Sequence, residues 1–359
     1  MQTLAPVTIA CSHMIPAMRS FAAFTVRYSS TATAATAKAT TPESIAVLRT
    51  RKEVRAWRNA QLAAGLTVGF VPTMGALHEG HLSLVRASTR MNDKTIVSIF
   101  VNPSQFAPNE DLASYPRDLD ADVTLLSTVE TVMPLPQTQT SGTSSTVSTT
   151  KVDVVFAPSV EEMYPSGIPL TIADQRGAFV SVEGLSHQLE GSIRPQFFRG
   201  VATVVSKLLN VVSPDLIYFG QKDVQQTVVV RRLIKDMCYD TGVVIVPTTR
   251  DASGLALSSR NAYLSAKVQE DATVIYRGLQ RAVELFRTET SAAALVDVIV
   301  QSIAEKFPLE DIEYVKVNDS ETLKELDIVH PLRGAIVSLA VRVPNKFGTQ
   351  TRLIDNVIL

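Results

Sequence analysis

The chain is poor in the residues that build several classes of protein. Among 359 residues there are only two cysteines, Cys11 and Cys238. Two thiols cannot make a disulfide framework and all but exclude a cysteine-built metal centre, so a reducing compartment is the default. No apolar run approaches the ~18 residues that a membrane-spanning helix requires. Charge is nearly balanced, with 34 Lys and Arg against 35 Asp and Glu, and no basic surplus marks a nucleic-acid partner. Neither nucleic acid nor membrane is therefore expected as a partner. One further absence is local: residues 1–42 contain no Asp or Glu, the first acid being Glu43. Arg19, Arg27 and Lys38 stand there among Ser, Thr and Ala, the basic, hydroxyl-rich, acid-poor composition of a transit peptide. The expected address is mitochondrial, with a cytoplasmic protein carrying an unaddressed leader as the alternative.

What the chain does have is length enough for two domains of the usual ~100–200 residues and an alternation of apolar segments. The pattern is helical from Ser44 (Ile45, Val47, Leu48, Val54, Trp57). Residues 66–71, 95–101, 152–156, 216–219 and 243–247 are apolar on both faces, as parallel strands between helical layers are. Helical stretches at 81–90, 201–211 and 225–237 alternate with them, which predicts an open, mostly parallel α/β sheet over residues 43–248. Beyond Arg250 the composition shifts. Helical stretches at 269–287 and 292–307 and alternating strands at 312–317 and 335–343 predict a smaller α+β domain over 249–359. Residues 137–150 (QTQTSGTSSTVSTT) offer almost nothing to bury and are expected to form a flexible surface insertion.

In open α/β sheets ligands bind beyond the carboxyl ends of the strands, and three of four motifs, at Pro72, Asn102 and Gly220, follow predicted strand ends. Pro72-Thr-Met-Gly-Ala-Leu-His78-Glu-Gly80-His81 sets two imidazoles at a helix start, where unpaired N–H groups and the helix dipole favour anions. This reads as a triphosphate site, against the alternative of a plain Gly-assisted turn. In Val101-Asn-Pro-Ser-Gln-Phe106, Asn102 and Gln105 suit hydroxyls and a carboxylate, or else mark only a turn. In Phe219-Gly-Gln-Lys-Asp-Val-Gln-Gln226, Gly220 admits a close ligand, Lys222 is a point charge for phosphates and Asp223 can start a helix. Ser258-Ser-Arg-Asn261 combines two hydroxyls and a guanidinium in an oxyanion cradle, or an ordinary capping loop. Arg194 and Arg199 could pair with substrate carboxylates. Asp118, Asp120 and Asp122 could hold magnesium through oxygens, or simply form the acidic first turn of a helix.

Taken in order, PTMGALHEGH, SIFVNPSQF, LASYPR, VFAPSVEEMYP, FRGVATVVSKLLN, GQKDVQQ and LALSSRN resemble the pantoate–β-alanine ligase family, from about Ser44 to the end of the chain. The resemblance implies a Rossmann-like nucleotidyltransferase domain of the His-x-x-His type with a smaller C-terminal domain, and a homodimer. It makes His78 and His81 the nucleotide-binding histidines, with His81 the proton donor. Catalysis falls to His78, His81, Lys222 and Arg260. Contacts to ATP are implied for Met74, Gly75, His78, Gly80, His81, Gly220, Gln221, Lys222, Asp223, Thr249, Leu257, Ser258, Ser259 and Arg260. The substrate side takes Pro72, Thr73, Met74, Asn102, Gln105, Arg194 and Gln226, with Gln105 and Gln226 the pantoate-contacting pair.

Three features depart from the family's pattern. Gln221 stands where many members have Glu. Of the magnesium-linked acids only Asp122 aligns, next to Ala121 and before Leu125. The leader and the Thr/Ser tract are additions. The implied reaction is adenylation of pantoate by ATP with Mg²⁺, followed by transfer of the pantoyl group to β-alanine. The rivals are a nucleotidyltransferase that stops at an adenylylated product and a homologue without turnover.

Overall fold

The computed structural model describes residues 45–108, 110–133 and 148–359. The leader and residues 137–147 of the Thr/Ser tract lie outside the described residues. In chain order the first elements are β1 (Ala46–Leu48), α1 (Arg51–Ala63), β2 (Val68–Thr73), α2 (Glu79–Met91), β3 (Lys94–Ile99) and α3 (Leu119–Ser127). Next come β4 (Thr131–Met133), β5 (Ser148–Thr150), β6 (Val154–Phe156), α4 (Val160–Met163), α5 (Glu190–Ile193), α6 (Phe197–Val212), β7 (Leu216–Gly220), α7 (Val224–Asp236) and β8 (Gly242–Val246). The C-terminal part holds α8 (Ala266–Asp271), α9 (Thr273–Phe286), α10 (Ala292–Ala304), β9 (Ile312–Asn318), β10 (Ile336–Pro344) and β11 (Gln350–Ile358).

Six strands form a parallel sheet in the order β1-β6-β3-β2-β7-β8. Successive residues of one strand enter opposite cores, which is why these segments are apolar throughout. Phe70, Ile96 and Ile217 join Val54 of α1, Leu208 of α6 and Leu233 of α7 on one face. Val71, Val97 and Tyr218 join Leu82 and Val85 of α2 and Leu126 of α3 on the other. From β2 the chain builds outward through β3 and β6, then returns to add β7 and β8 on the other flank. The order of strands therefore reverses between β2 and β7.

Three sequence expectations needed correction. The stretch from Ser44 is not continuous helix: residues 46–48 pair with β6 at the sheet edge. Helix α1 starts only after Thr50, whose hydroxyl accepts from Glu53 N–H while the Glu53 carboxylate accepts from Thr50 N–H. The predicted helix over 269–287 is two, α8 and α9, meeting at Ala272. Strand β11 was not anticipated, because inward positions Thr351 and Asp355 are polar and hide the period of two. It pairs with β10 over its whole length, and β9, β10 and β11 form an antiparallel sheet packed on α9 and α10. The last three residues of the Thr/Ser tract also pair, as β5 with β4.

Candidate active site

The carboxyl ends of β2, β3, β7 and β8 open into one cavity of about 1480 Å³ at the point where strand order reverses. That volume exceeds the ~300–1,000 Å³ of an ordinary single-ligand cleft. Its wall contains Pro72, Thr73, Met74, His78, Gly80, His81, Asn102, Gln105, Arg194, Gly220, Lys222, Asp223, Gln226, Thr249, Leu257, Ser258, Ser259 and Arg260. Gly75, Gln221 and Asp122, expected with them, are not on that wall.

The histidines build the start of α2 rather than merely preceding it. His78 is the N-cap, its Nδ1 accepting Gly80 N–H at 3.1 Å. The Nδ1 of His81 accepts His78 N–H at 3.3 Å, closing a capping box made of imidazoles. An accepting Nδ1 places the ring proton on Nε2, so each ring keeps one N–H for a ligand. Burial, reinforced by the Lys222 charge, lowers the His78 pKa to about 4. Burial, then His78 and Lys222, lowers that of His81 to about 3. Both rings are therefore neutral donors near pH 7. The sequence expectation that bare helix N–H groups face the anion needs revision, because those of Gly80, His81 and Leu82 already have acceptors.

The spacing of the motif has a steric cause. A Cβ on Gly80 would lie 2.8 Å from the His78 ring, so only glycine leaves that ring on its cap. The turn before the helix includes Ala76 in a left-handed conformation, φ 50°. It is held by Asp122, whose two carboxylate oxygens accept the backbone N–H groups of Ala76 at 3.1 Å and Leu77 at 2.8 Å. Burial pushes the Asp122 pKa up, against the pull of those two donors. Asp122, expected as a magnesium ligand, thus faces the turn, and no group of three His, Cys, Asp or Glu among the described residues could hold a metal. Asp118 is the N-cap of α3.

Opposite the histidines, Lys222 sits between β7 and α7, 3.6 Å from the Asp223 carboxylate. Arg260 makes only a long 3.4 Å contact with Asp111. Ser259 Oγ donates to Ala76 O at 3.4 Å, and Thr249 Oγ1 donates to Ser83 Oγ at 3.0 Å. These bonds join the Ser-Ser-Arg loop and the end of β8 to the histidine segment. Gln221, off the wall, donates to Asn356 of β11, which in turn donates to the carbonyls of Gln221 and Lys222.

The second half of the cavity combines amide side chains with paired charges. Asn102, 1% exposed, donates to Gln105 Oε1 and Gly200 O, and its own oxygen accepts from Ser104 and from the Tyr164 hydroxyl. Its polar atoms are thus engaged in holding the turn. Among the described residues Gln105 Nε2 meets only the Met74 sulfur, a weak acceptor, and Gln105 lies on the cavity wall. A Cβ on Gly200 would lie 2.2 Å from Ser104 O, so α6 can approach this turn only with glycine there. Two adjacent glutamines lie on the wall, and Gln225 is bound to the backbone of Leu185, Gln188 and Glu190, which leaves Gln226 as the one of the pair available to a ligand. Arg194 is paired in a fork with Glu110 at 2.6 Å and lies over Phe197, so it is not an unpaired carboxylate receptor. Arg199 lies over Phe179 and donates to Gln175.

Glu110, Tyr164, Gly200 and Asn356 were not assigned roles from sequence. Tyr164 and Gly200 lie inside recognisable strings, but their partners are 62 and 96 residues away.

The family model for pantoate–β-alanine ligase matches residues 46–358. The chain belongs to the pantoate–β-alanine ligase family. The pantothenate synthetase of Herpetosiphon aurantiacus is 46% identical over 87% of this chain and 99% of its own length. The pantoate–β-alanine ligase of Saccharomyces cerevisiae is 44% identical over 87% and 99%. Among solved structures, the pantothenate synthetase of Thermus thermophilus is similar with TM-score 0.71 and 38% identity, covering 87% of this chain and 99% of that one. The pantoate–β-alanine ligase of Francisella tularensis, solved with a β,γ-ATP compound and β-alanine, is similar with TM-score 0.61 and 31% identity, covering 88% and 97%. For this member of the family, the departures noted in the sequence leave the histidine caps and the Ser-Ser-Arg loop in place.

Proposed function

We propose that this ligase adenylates pantoate with ATP and transfers the pantoyl group to β-alanine, giving pantothenate, AMP and pyrophosphate. One observation carries the reading. Two neutral Nε2–H donors, a lysine and an arginine whose acidic neighbours lie 3.6 and 3.4 Å away, and a serine pair line the same cavity as two substrate-side glutamines. Attack by the pantoate carboxylate on the α-phosphorus expels pyrophosphate and increases negative charge on the phosphate oxygens. His78, His81, Lys222, Ser258, Ser259 and Arg260 are proposed to stabilise that charge from fixed positions. Gln105 and Gln226 are proposed to orient pantoate, with Pro72, Thr73 and Met74 beside them. The β-alanine amine then attacks the acyl carbon and AMP leaves. The depth of the cavity is proposed to limit the access of water to the mixed anhydride.

Magnesium fits less well as a protein-held ion. Asp122 has both oxygens on backbone donors, and no carboxylate cluster faces the cavity among the described residues. No step is routed through it; Mg²⁺ at such sites keeps several waters and is held by substrate phosphates with one or two carboxylates.

The test is to incubate the protein with ATP and pantoate, with and without β-alanine, and to identify products by mass. Pantothenate and AMP only with all three components supports the ligase. An adenylylated product with no further conversion supports the nucleotidyltransferase, and no product the non-catalytic homologue. The homodimer and the mitochondrial address are proposals of the same reading. Sedimentation of the purified chain tests the first, and a fluorescent fusion of residues 1–42 the second.

A further inference from the structure

Two adjacent residues of β11 reach the phosphate-facing half of the cavity from the antiparallel sheet. Asn356, 1% exposed, donates through Nδ2 to the carbonyls of Gln221 and Lys222, each at 2.9 Å. Its Oδ1 accepts from Gln221 Nε2 at 3.3 Å. The turn it grips, Gln221–Asp223, has no side-chain cap of its own. Asp355, 4% exposed, holds Arg250 in a two-point ion pair at 2.6 and 2.9 Å. Arg250 opens the loop that carries Leu257–Arg260, and its guanidinium lies 3.6 Å over the Tyr276 ring. Asp355 also accepts the backbone N–H of Asn356 at 2.8 Å, which couples the two. Fully buried polar side chains on a strand cost stability unless their bonds are complete. Leu339, the position of β10 that faces Asp355, is fully buried and shows that this sheet accepts apolar residues.

We propose that Asp355 and Asn356 are positioning residues that fix Lys222 and the Ser258–Arg260 loop relative to one another, and so set the spacing of the cationic groups around the nucleotide phosphates. The proposal rests on the adenylating function above. Neither side chain needs to touch the nucleotide; each acts through the loop it holds.

Pantoate-dependent exchange of labelled pyrophosphate into ATP is the measurement. Asn356→Ala releases the turn that carries Lys222, so kcat/KM for ATP is expected to fall about tenfold. Asn356→Asp keeps the shape but turns an acceptor toward two carbonyls, and is expected to fall further. KM for pantoate stays within about twofold in both. In a Lys222→Ala background, Asn356→Ala costs less than about twofold more, since the group it positions is gone. Val343→Ala, at a fully buried β10 site off the cavity, is the control: it lowers the melting temperature and leaves ATP dependence unchanged. Equal losses with and without Lys222, or ATP and pantoate constants that drift together with melting temperature, overturn the proposal. If Asn356→Ala does not fold, Asp355→Asn keeps the volume and weakens only the Arg250 pair. A raised KM for ATP with an unmoved KM for pantoate then supports the proposal, and an unmoved KM for ATP overturns it. Wild-type protein without exchange overturns the function and the proposal together, whereas exchange with unaltered ATP dependence in the variants overturns the proposal alone.

Discussion

The imidazole of His81 accepts the backbone N–H of His78 at 3.3 Å, with the two ring centroids 4.1 Å apart. The Nδ1 of the His81 ring is thus taken by the helix, and Nε2 is the nitrogen proposed to meet the ligand. Amide side chains separate them. His81→Asn can preserve the cap, so its melting temperature stays near wild type while single-turnover adenylate formation drops ~10²–10³-fold. His81→Gln can return a donor near Nε2 but loses the cap, a stability loss of ~1 kcal/mol, with more activity retained. Equal kinetics in the two variants would count against the division of labour.

The low histidine pKa values fix a pH dependence. Both folded-state values, about 4 and about 3, lie below the unfolded 6.5. The unfolded chain thus binds more protons between pH 6.5 and those values, and the two rings withdraw stability as pH falls through that window. Above it they are neutral in both states and contribute no slope. In the free enzyme kcat/KM for ATP, which reports free-enzyme ionisations, should show no histidine step between pH 6 and 7. A step centred near 6.5 that disappears in His81→Asn would contradict the buried neutral pair.

Gly80→Ala is a third test. The added methyl would sit 2.8 Å from the His78 ring and push it off its cap. The expected result is a loss of ~10-fold or more in adenylate formation with the helix otherwise intact. Circular dichroism close to wild type together with normal turnover would show that the ring adapts without cost.

Gly200→Ala acts on the other half of the cavity. Its Cβ would lie 2.6 Å from Gln105 N and 2.2 Å from Ser104 O, so α6 and the Asn102–Gln105 turn must separate. KM for pantoate is expected to rise about tenfold, since a shift of ~1 Å in a positioning group costs at least that much, while KM for ATP holds. Initial-rate kinetics with each substrate varied in turn would detect a parallel rise in both, which would refute the separation of the two halves.

The parallel sheet was legible in the sequence because every central strand is buried on both faces and reads as an apolar run. The motifs were legible because turn chemistry and strand ends are local. What stayed hidden depends on distant partners. Arg194 read as an available cation until Glu110, 84 residues away, was found in its fork. Asp122 read as a metal acid until the Ala76–Leu77 backbone was found against it. What engages Gln225 was hidden in the same way, since its partners Leu185, Gln188 and Glu190 lie 35–40 residues away. Strand β11 escaped because its buried side chains are polar for the sake of loops it holds rather than of the core.

Helix α2 also separates two ends of the molecule. Its first residues carry the histidine caps, and eight residues later Thr89 bonds Thr131 and Thr150, the strands that flank the Thr/Ser tract. At 1.5 Å per residue that is roughly 12 Å along the axis. Because closing a loop costs only ~0.6 kcal/mol per doubling of its length, the chain between the paired strands β4 and β5 is expected to tolerate added residues without loss of that pairing. It is a natural address for an epitope, a fluorophore or a surface anchor that leaves the head of the helix undisturbed.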